Sequence, residues 1–439
     1  MNYTESLFIF TFAIVVLVAL ALRPWPLARQ WFLTAFSLFV IATWGIYSLA
    51  LFLMIGLINF AVARALYVNK PPVSTAILAT AMIVDVGLLA IFKYVKPSWL
   101  HSGWLPEPIG IPLAISFYTF HIISYLVDIH RGRISPVGFG QYLFYLGFFP
   151  HVVAGPIVRT WQLIPQLRNT RRIAADWPMG LHFMVTGFFL KSICADNIAG
   201  IIDPAWKDVA LTAADRWLVA FLYYCQIYGD FAGYSLMALG MARLLGFRLP
   251  ANFRSPLRAI RLQEFWRRWH ITLSRWLRDY LYIPLGGNRS GFVLGNLILT
   301  MLLGGLWHGS GAGFVIWGAL HGLALVFERL VPIRNVLLSW FLTQAWVTLA
   351  WVPFRLPQWR DASAFLSGMV TSPLHMPSGS ILFGAVFAAP VIMHQFLPLL
   401  ISRIGHRRLP IVLGAMTGVL AIADLIVAAP SKVFLYFAF

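Results

Sequence analysis

The chain has 439 residues, 60% hydrophobic and only 11% charged, with a formal net charge of +18. Apolar runs long enough to span a bilayer recur from end to end, which excludes a string of soluble domains. The basic excess lies in short connections between these runs. It reads as cytoplasmic-loop Lys and Arg facing anionic headgroups, so membrane lipids and not nucleic acid are the expected contacts.

In chain order, the expected spans are roughly 5–22, 30–47, 48–66, 74–92, 111–128, 178–198, 218–246, 291–308, 311–330, 335–353, 380–400 and 409–427. This is an all-α, polytopic membrane protein with roughly 11–13 membrane helices. No linker or repeat divides it, so one domain covers 1–439. Ala19-Leu20-Ala21 imitates a signal cleavage site, but the residues before the first span include Glu5 and no basic residue. An uncleaved first span is expected. Cys194 and Cys225 lie in or beside apolar segments and suggest neither a disulfide framework nor a thiolate metal site.

Lys and Arg counts set the expected orientation. Residues before the first span carry none, and the next loop holds Arg23 and Arg29, so the N-terminus is placed outside. Alternation puts Arg64, Lys70, Arg131, Arg133 and the cluster Arg243 to Arg289 inside, with the C-terminus outside. Lys93 and Lys96 violate the pattern. Residues 139–158, FGQYLFYLGFFPHVVAGPIV, lie between two basic loops. Pro150, Gly155 and Pro156 interrupt them, and a re-entrant segment keeps both loops on one side. Such a segment hints at a polar cavity beside His151.

Residues 265–289, FWRRWHITLSRWLRDYLYIPLGGNR, hold five arginines, three tryptophans and His270. On a helical wheel of 262–283, Leu262, Phe265, Trp266, Trp269, Leu273, Trp276, Leu277 and Tyr280 share one face. Arg267, Arg268, Arg275 and Arg278 share the other. The pattern predicts an amphipathic helix lying in the membrane interface. His270 falls at the border of the apolar face, able to turn inward. A structural role and a chemical one both remain open for it.

Downstream, LLGGLWHGSGAG (302–313) places His308 at the end of an apolar run among glycines. Small-residue helix packing explains the glycines; so does a histidine beside a bendable backbone where substrate passes. An intramembrane imidazole suits general-base work on a hydroxyl. His321, in WGALHG, has Glu328 seven residues later on the same face and is expected to pair with it as a structural residue. There is no Walker loop, GxSxG, HExxH or Rossmann fingerprint. No histidine is followed five residues later by aspartate, so HxxxxD acyltransferase chemistry is absent.

Taken together, these motifs resemble the membrane-bound O-acyltransferase family. The resemblance rests on the 265–289 stretch, LLGGLWHG, WGALHG, SFYTFHIISYLVD (116–128), FFPHVVAGPIVR (148–159), DFAGYSLMALGMARLLGF (230–247) and WVTLAWVPFR (346–355). It runs from about residue 110 to the C-terminus. It is strongest for the bacterial branch that acylates cell-surface polymers: alginate and peptidoglycan O-acetyltransferase membrane proteins and the teichoic acid D-alanyl transfer protein. It implies a ring of tilted helices around a central tunnel, with re-entrant and interfacial helices, in the bacterial cytoplasmic membrane. His308 would be the family histidine acting as general base, and His270 the second conserved polar position. The implied donor is a cytoplasmic acyl thioester, acyl-coenzyme A or an acyl carrier protein, with no bound cofactor and no metal. Arg267, Arg268 and Arg275 form a basic face that could attract that anionic donor. The acceptor side implies a surface polysaccharide or an extracytoplasmic SGNH-type acyltransferase. A transporter or lipid flippase shares the spans and cavity but does not need paired histidines.

The chain closes on FLYFAF (434–439). Composition alone reads this as an interfacial aromatic end. The spacing Phe434-x-Tyr436-x-x-Phe439 also resembles the terminal motif of accessory peptides in teichoic acid D-alanylation. That resemblance implies Tyr436 as a transient acyl carrier.

Overall fold

The computed structural model describes residues 4–95, 114–152, 155–168, 175–289, 291–401 and 409–427. Among them there are helices and turns and no strand. Each expected span meets a helix. The chain divides into two compact units: 1–180 with 238–250, and 181–237 with 251–439.

The first unit holds α1 (Ser6–Ala21), α2 (Pro26–Ala42), α3 (Ile46–Val68), α4 (Val73–Ala90), α5 (Ile115–His130), α6 (Phe139–Gly147), α7 (Phe149–Val152) and α8 (Thr160–Arg168). Proline opens α2, where its missing N–H is harmless. Gly45, at φ +126°, allows the sharp reversal into α3. Asn59 on α3 donates to Asp85 on α4 at 2.9 Å, joining two apolar helices through one buried polar pair. The segment around Pro150 is broken as its proline and glycine imply: α6 stops at Gly147 and α7 lasts one turn. His151 is fully buried there, its ring 4.7 Å from that of His121. Two charges counted above as loop residues are interior. Arg29 lies on α2, donates to the Leu245 carbonyl and covers the Phe247 ring. Lys93 is buried on a π-helical turn, Ile91–Val95.

The chain continues through α9 (Trp177–Phe188), a π-helical stretch at Phe189–Ala195, α10 (Asp196–Ala205) and α11 (Ala213–Leu244). Then come α12 (Leu262–Arg268), α13 (Ile271–Leu277) with a π-helical end, α14 (Val293–His308), α15 (Ala312–Leu330), α16 (Val336–Arg355), α17 (Trp359–Thr371), α18 (Gly379–Ile401) and α19 (Leu409–Val427). Thr212 and Asp215 cap α11 reciprocally: the Asp215 carboxylate accepts from the Thr212 N–H and the Thr212 hydroxyl accepts from the Asp215 N–H. Asn335 caps α16 through the Leu338 N–H at 2.9 Å. Among the described residues, six helices are long and apolar enough to cross a membrane: 46–68, 73–95, 177–205, 312–330, 336–355 and 379–399. Shorter apolar helices cover 7–21, 26–42, 293–308 and 411–424. The protein is therefore a multi-pass membrane protein.

Within the second unit, α14 and α15 form a close hairpin. A Cβ on Gly305 would meet the Phe314 carbonyl oxygen, and one on Gly318 the Met301 carbonyl oxygen at 2.5 Å. Only hydrogen fits at either position. The turn between the helices is equally tight. Cβ atoms on Gly309, Gly311 and Gly313 would meet Phe314, Pro357 and Pro353. The glycines thus serve close packing, and His308 sits at a filled corner with 4% of its surface exposed.

Candidate functional site

The wheel of 262–283 predicts one continuous helix; the structure breaks it at Trp269–His270. α12 ends at Arg268 and α13 begins at Ile271. His270 takes φ +38°, a left-handed conformation that costs a non-glycine residue about 1–2 kcal/mol. The face assignment survives the break. Leu262, Phe265, Trp269, Leu273, Trp276 and Tyr280 are buried, while Arg267, Arg275 and Arg278 are exposed. His270 turns inward and is 1% exposed.

The His270 ring lies 4.7 Å from the Phe231 ring, edge to face, and 6.5 Å from Trp307. Neither of its ring nitrogens has a hydrogen-bond partner among the described residues. Burial pushes its pKa down to about 3, so the ring is neutral at physiological pH. A neutral imidazole keeps one N–H donor and one acceptor nitrogen for a reacting group.

His308 ends α14, one residue after Trp307. Its ring lies 4.7 Å from Trp307, 5.0 Å from Trp317 on α15 and 5.0 Å from Phe354 on α16. Trp307 is therefore a ring neighbour of both histidines, His270 at 6.5 Å and His308 at 4.7 Å. An aromatic wall of this kind keeps bulk water from a base, which strengthens electrostatic contacts inside.

His321 does not pair with Glu328. Among the described residues both of its ring nitrogens lack a partner, and its ring packs on Trp317 at 4.9 Å and Trp266 at 5.0 Å. The Glu328 carboxylate instead accepts from the first amides of α12, those of Leu262 and Gln263. The expectation failed because a wheel of one helix cannot see an acceptor needed by another.

The three candidate donor-binding arginines separate. Arg267 and Arg275 face outward. Arg268 is half-buried and committed to Glu264 at 2.6 Å and to the Arg254 carbonyl at 3.0 Å. Burial alone would raise the Glu264 carboxyl, but hydrogen bonds from Ile260 and Arg268 outweigh it and hold it below its usual range. Tyr436 lies outside the described residues. Two groups that sequence reasoning did not single out also matter here: Trp317, in contact with both His308 and His321, and Asn252, whose bonds flank His270.

A cleft of about 440 Å³ lies elsewhere in this unit, between α15 and α16, lined mainly by apolar side chains such as Leu323, Phe327 and Leu342. None of the three histidines lines it.

The sequence profile of the membrane-bound O-acyltransferase family matches residues 91–357. The probable alginate O-acetylase AlgI of Pseudomonas syringae is 36% identical over 376 residues, covering 81% of this chain and 72% of the relative. The peptidoglycan O-acetyltransferase of Helicobacter pylori is 36% identical over 425 residues, covering 84% and 79%. The teichoic acid D-alanyltransferase of Streptococcus thermophilus is 29% identical over 236 residues, covering 49% and 56%. With this match spanning both histidines, the chain belongs to the membrane-bound O-acyltransferase family and is a membrane enzyme that transfers acyl groups to oxygen.

Proposed function

We propose that the enzyme moves an acetyl group from a cytoplasmic thioester toward a cell-surface polysaccharide. The acetyl assignment leans on the names of the alginate and peptidoglycan relatives, each about a third identical over most of this chain. The D-alanyl alternative rests on a relative that shares about half the chain. The Lys and Arg distribution favours both termini outside, and the resemblance to bacterial cell-surface acyltransferases favours the inner membrane as the setting.

The observation that supports the mechanism is that two buried histidines share Trp307 as a ring neighbour. His308 takes the proton of the acceptor hydroxyl as its oxygen attacks the thioester carbonyl. His270 donates its ring N–H to the oxygen that gains negative charge. The carbon–sulfur bond then breaks, and the His308 proton passes to the departing thiolate. Exposed Arg267 and Arg275 draw in the anionic coenzyme A or carrier protein. Arg268, engaged by Glu264, has a smaller part in that attraction.

The acceptor in this scheme is the Tyr436 phenol, which holds the acyl group before an extracytoplasmic SGNH-type enzyme passes it to the polymer. A phenol, with pKa near 10, deprotonates more readily than a sugar hydroxyl and its ester is a better donor. The resemblance of FLYFAF to a carrier tail motivates this step.

Replacing His308 with Ala tests the core of the reading. Acyl esters on the envelope polymer should fall by about 100- to 10,000-fold with normal amounts of inserted protein. Near-normal acylation would refute the assignment. For the tail, Tyr436→Phe should stop transfer without loss of protein, and intact-mass analysis of the wild type lacking its downstream partner should find the acyl adduct on the C-terminal peptide. Full activity in Tyr436→Phe returns the tail to an interfacial anchor.

A further inference from the structure

A buried histidine is ordinarily aimed by a hydrogen bond to one ring nitrogen, which fixes the ring plane and the tautomer. His270 has no such bond among the described residues. Its nearest ring neighbours among the described residues, Phe231 and Trp307, resist overlap but do not select an angle. What aims it is its backbone, and that backbone is held from both sides.

Residues 252–254 run alongside the elbow as a strap. The Ile271 N–H, just after His270, donates to the Asn252 carbonyl at 2.8 Å. Two residues before His270, the Arg268 carbonyl accepts from the Arg254 N–H at 3.0 Å, and the Arg268 guanidinium returns a bond to the Arg254 carbonyl at 3.0 Å. The Thr272 hydroxyl donates to the Asn252 side-chain oxygen at 2.6 Å. The Asn252 amide nitrogen in turn donates to the Ser235 hydroxyl on α11 at 3.1 Å. Asn252, Thr272 and Ser235 are 1%, 4% and 3% exposed, so water does not compete for these bonds. α11 also carries Phe231, one turn before Ser235, whose ring meets His270 edge to face. The helix that supplies the wall for the ring therefore also anchors the strap that sets its backbone.

We infer that Asn252, tied to Thr272 and Ser235, is the positioning residue for His270, holding the left-handed elbow that points the imidazole at the reacting oxygen. This rests on the reading of His270 as a participant in acyl transfer. Asn252 touches no substrate in this account; it acts through the elbow. Loss of a strap bond lets the elbow relax toward ordinary helical backbone, which would turn the ring away while leaving the fold intact.

The test is a double-mutant cycle on the full-length enzyme in its native host, reading base-labile acyl esters on the envelope polymer by mass spectrometry, per amount of inserted protein. Thr272→Val keeps the shape and removes the hydroxyl that holds Asn252. It should lower acylation about 10- to 100-fold, in line with the effect of small displacements of a reacting group. Thr272→Ser restores the hydroxyl and should recover most of the activity. In a His270→Ala background, Thr272→Val should cost nothing further, because its only effect is to aim a side chain already gone. Should Thr272→Val reduce the amount of protein, Ser235→Ala takes its place in the same cycle. A full additional loss in the His270→Ala background overturns the strap's role and leaves the catalytic reading standing. Undiminished activity in His270→Ala overturns both.

Discussion

The α14–α15 hairpin is held by backbone meeting backbone at Gly305 and Gly318, whereas the α12–α13 elbow is held by hydrogen bonds from residues 252–254. Both present a histidine to Trp307. In the hairpin, position is fixed by exclusion: there is room for hydrogen and nothing larger, so His308 follows from two helices in near contact. In the elbow, position is fixed by direction: each bond has a preferred angle, and together they hold a conformation the chain would not choose. The first mode fails when an atom is added, and the second when a polar atom is removed.

Gly318→Val should give the largest effect of the substitutions that probe this contrast. Its Cβ would fall on the Met301 carbonyl oxygen, and overpacking of a rigid contact costs about 1–3 kcal/mol or more. Thermal-shift measurement in detergent should show a lower melting temperature together with lost activity. An unchanged melting temperature would mean that the hairpin can separate and that exclusion does not set His308.

The arginines around the elbow sharpen the same contrast. Arg267→Gln with Arg275→Gln should raise the apparent KM for the thioester donor several-fold, each charge contributing on the order of 1 kcal/mol at low salt, with turnover kept. Arg268→Gln removes bonds to Glu264 and Arg254 instead, so it should lower turnover and shift KM less than the outer pair does. The opposite pattern would assign Arg268 to the donor and the outer pair to headgroup anchoring.

The smallest effect is expected at the start of α11, where hydrogen bonds act far from either histidine. Burial alone would raise the Asp215 carboxyl, but bonds from Ser378 and Thr212 outweigh it and hold it below its usual range. A carboxyl depressed on folding stabilises the protein above its ordinary pKa, and that contribution fades as pH falls through the native value. Asp215→Asn should therefore cost about 0.5–1 kcal/mol at neutral pH and make the acid limb of the stability–pH curve shallower. Equal acid sensitivity in both proteins would remove Asp215 from the account.

Much of this was legible in the sequence. Helix positions followed from apolar runs, because a bilayer demands length and hydrophobicity and little else. His308 stood out by its glycine neighbours, and His270 by its place at the edge of an apolar face. The rest depended on contacts that no single-helix pattern contains. The elbow at His270 is invisible to a wheel, which assumes the helix it is meant to test. Glu328 was matched to His321 by spacing, yet its carboxylate meets the Leu262 amide, 66 residues earlier in the chain, and that of Gln263 beside it. Arg29 and Lys93 entered the charge count as loop residues although both are buried, so the orientation drawn from that count rests on fewer exposed charges than the sequence suggests.

The bond from Glu328 to the start of α12 bears on the order of synthesis. When residues 262–268 leave the ribosome, the carboxylate that satisfies their first amides has not yet been made. It arrives only after the α14–α15 hairpin has been translated, and α15 brings Trp317 with it. The same helix thus supplies the acceptor for the first turn of α12 and one side of the aromatic wall around His308, and Phe354 on α16 closes that wall later in synthesis. A nascent chain stopped before residue 328 would carry both histidines and lack the acceptor that seats one of the two helices leading to them.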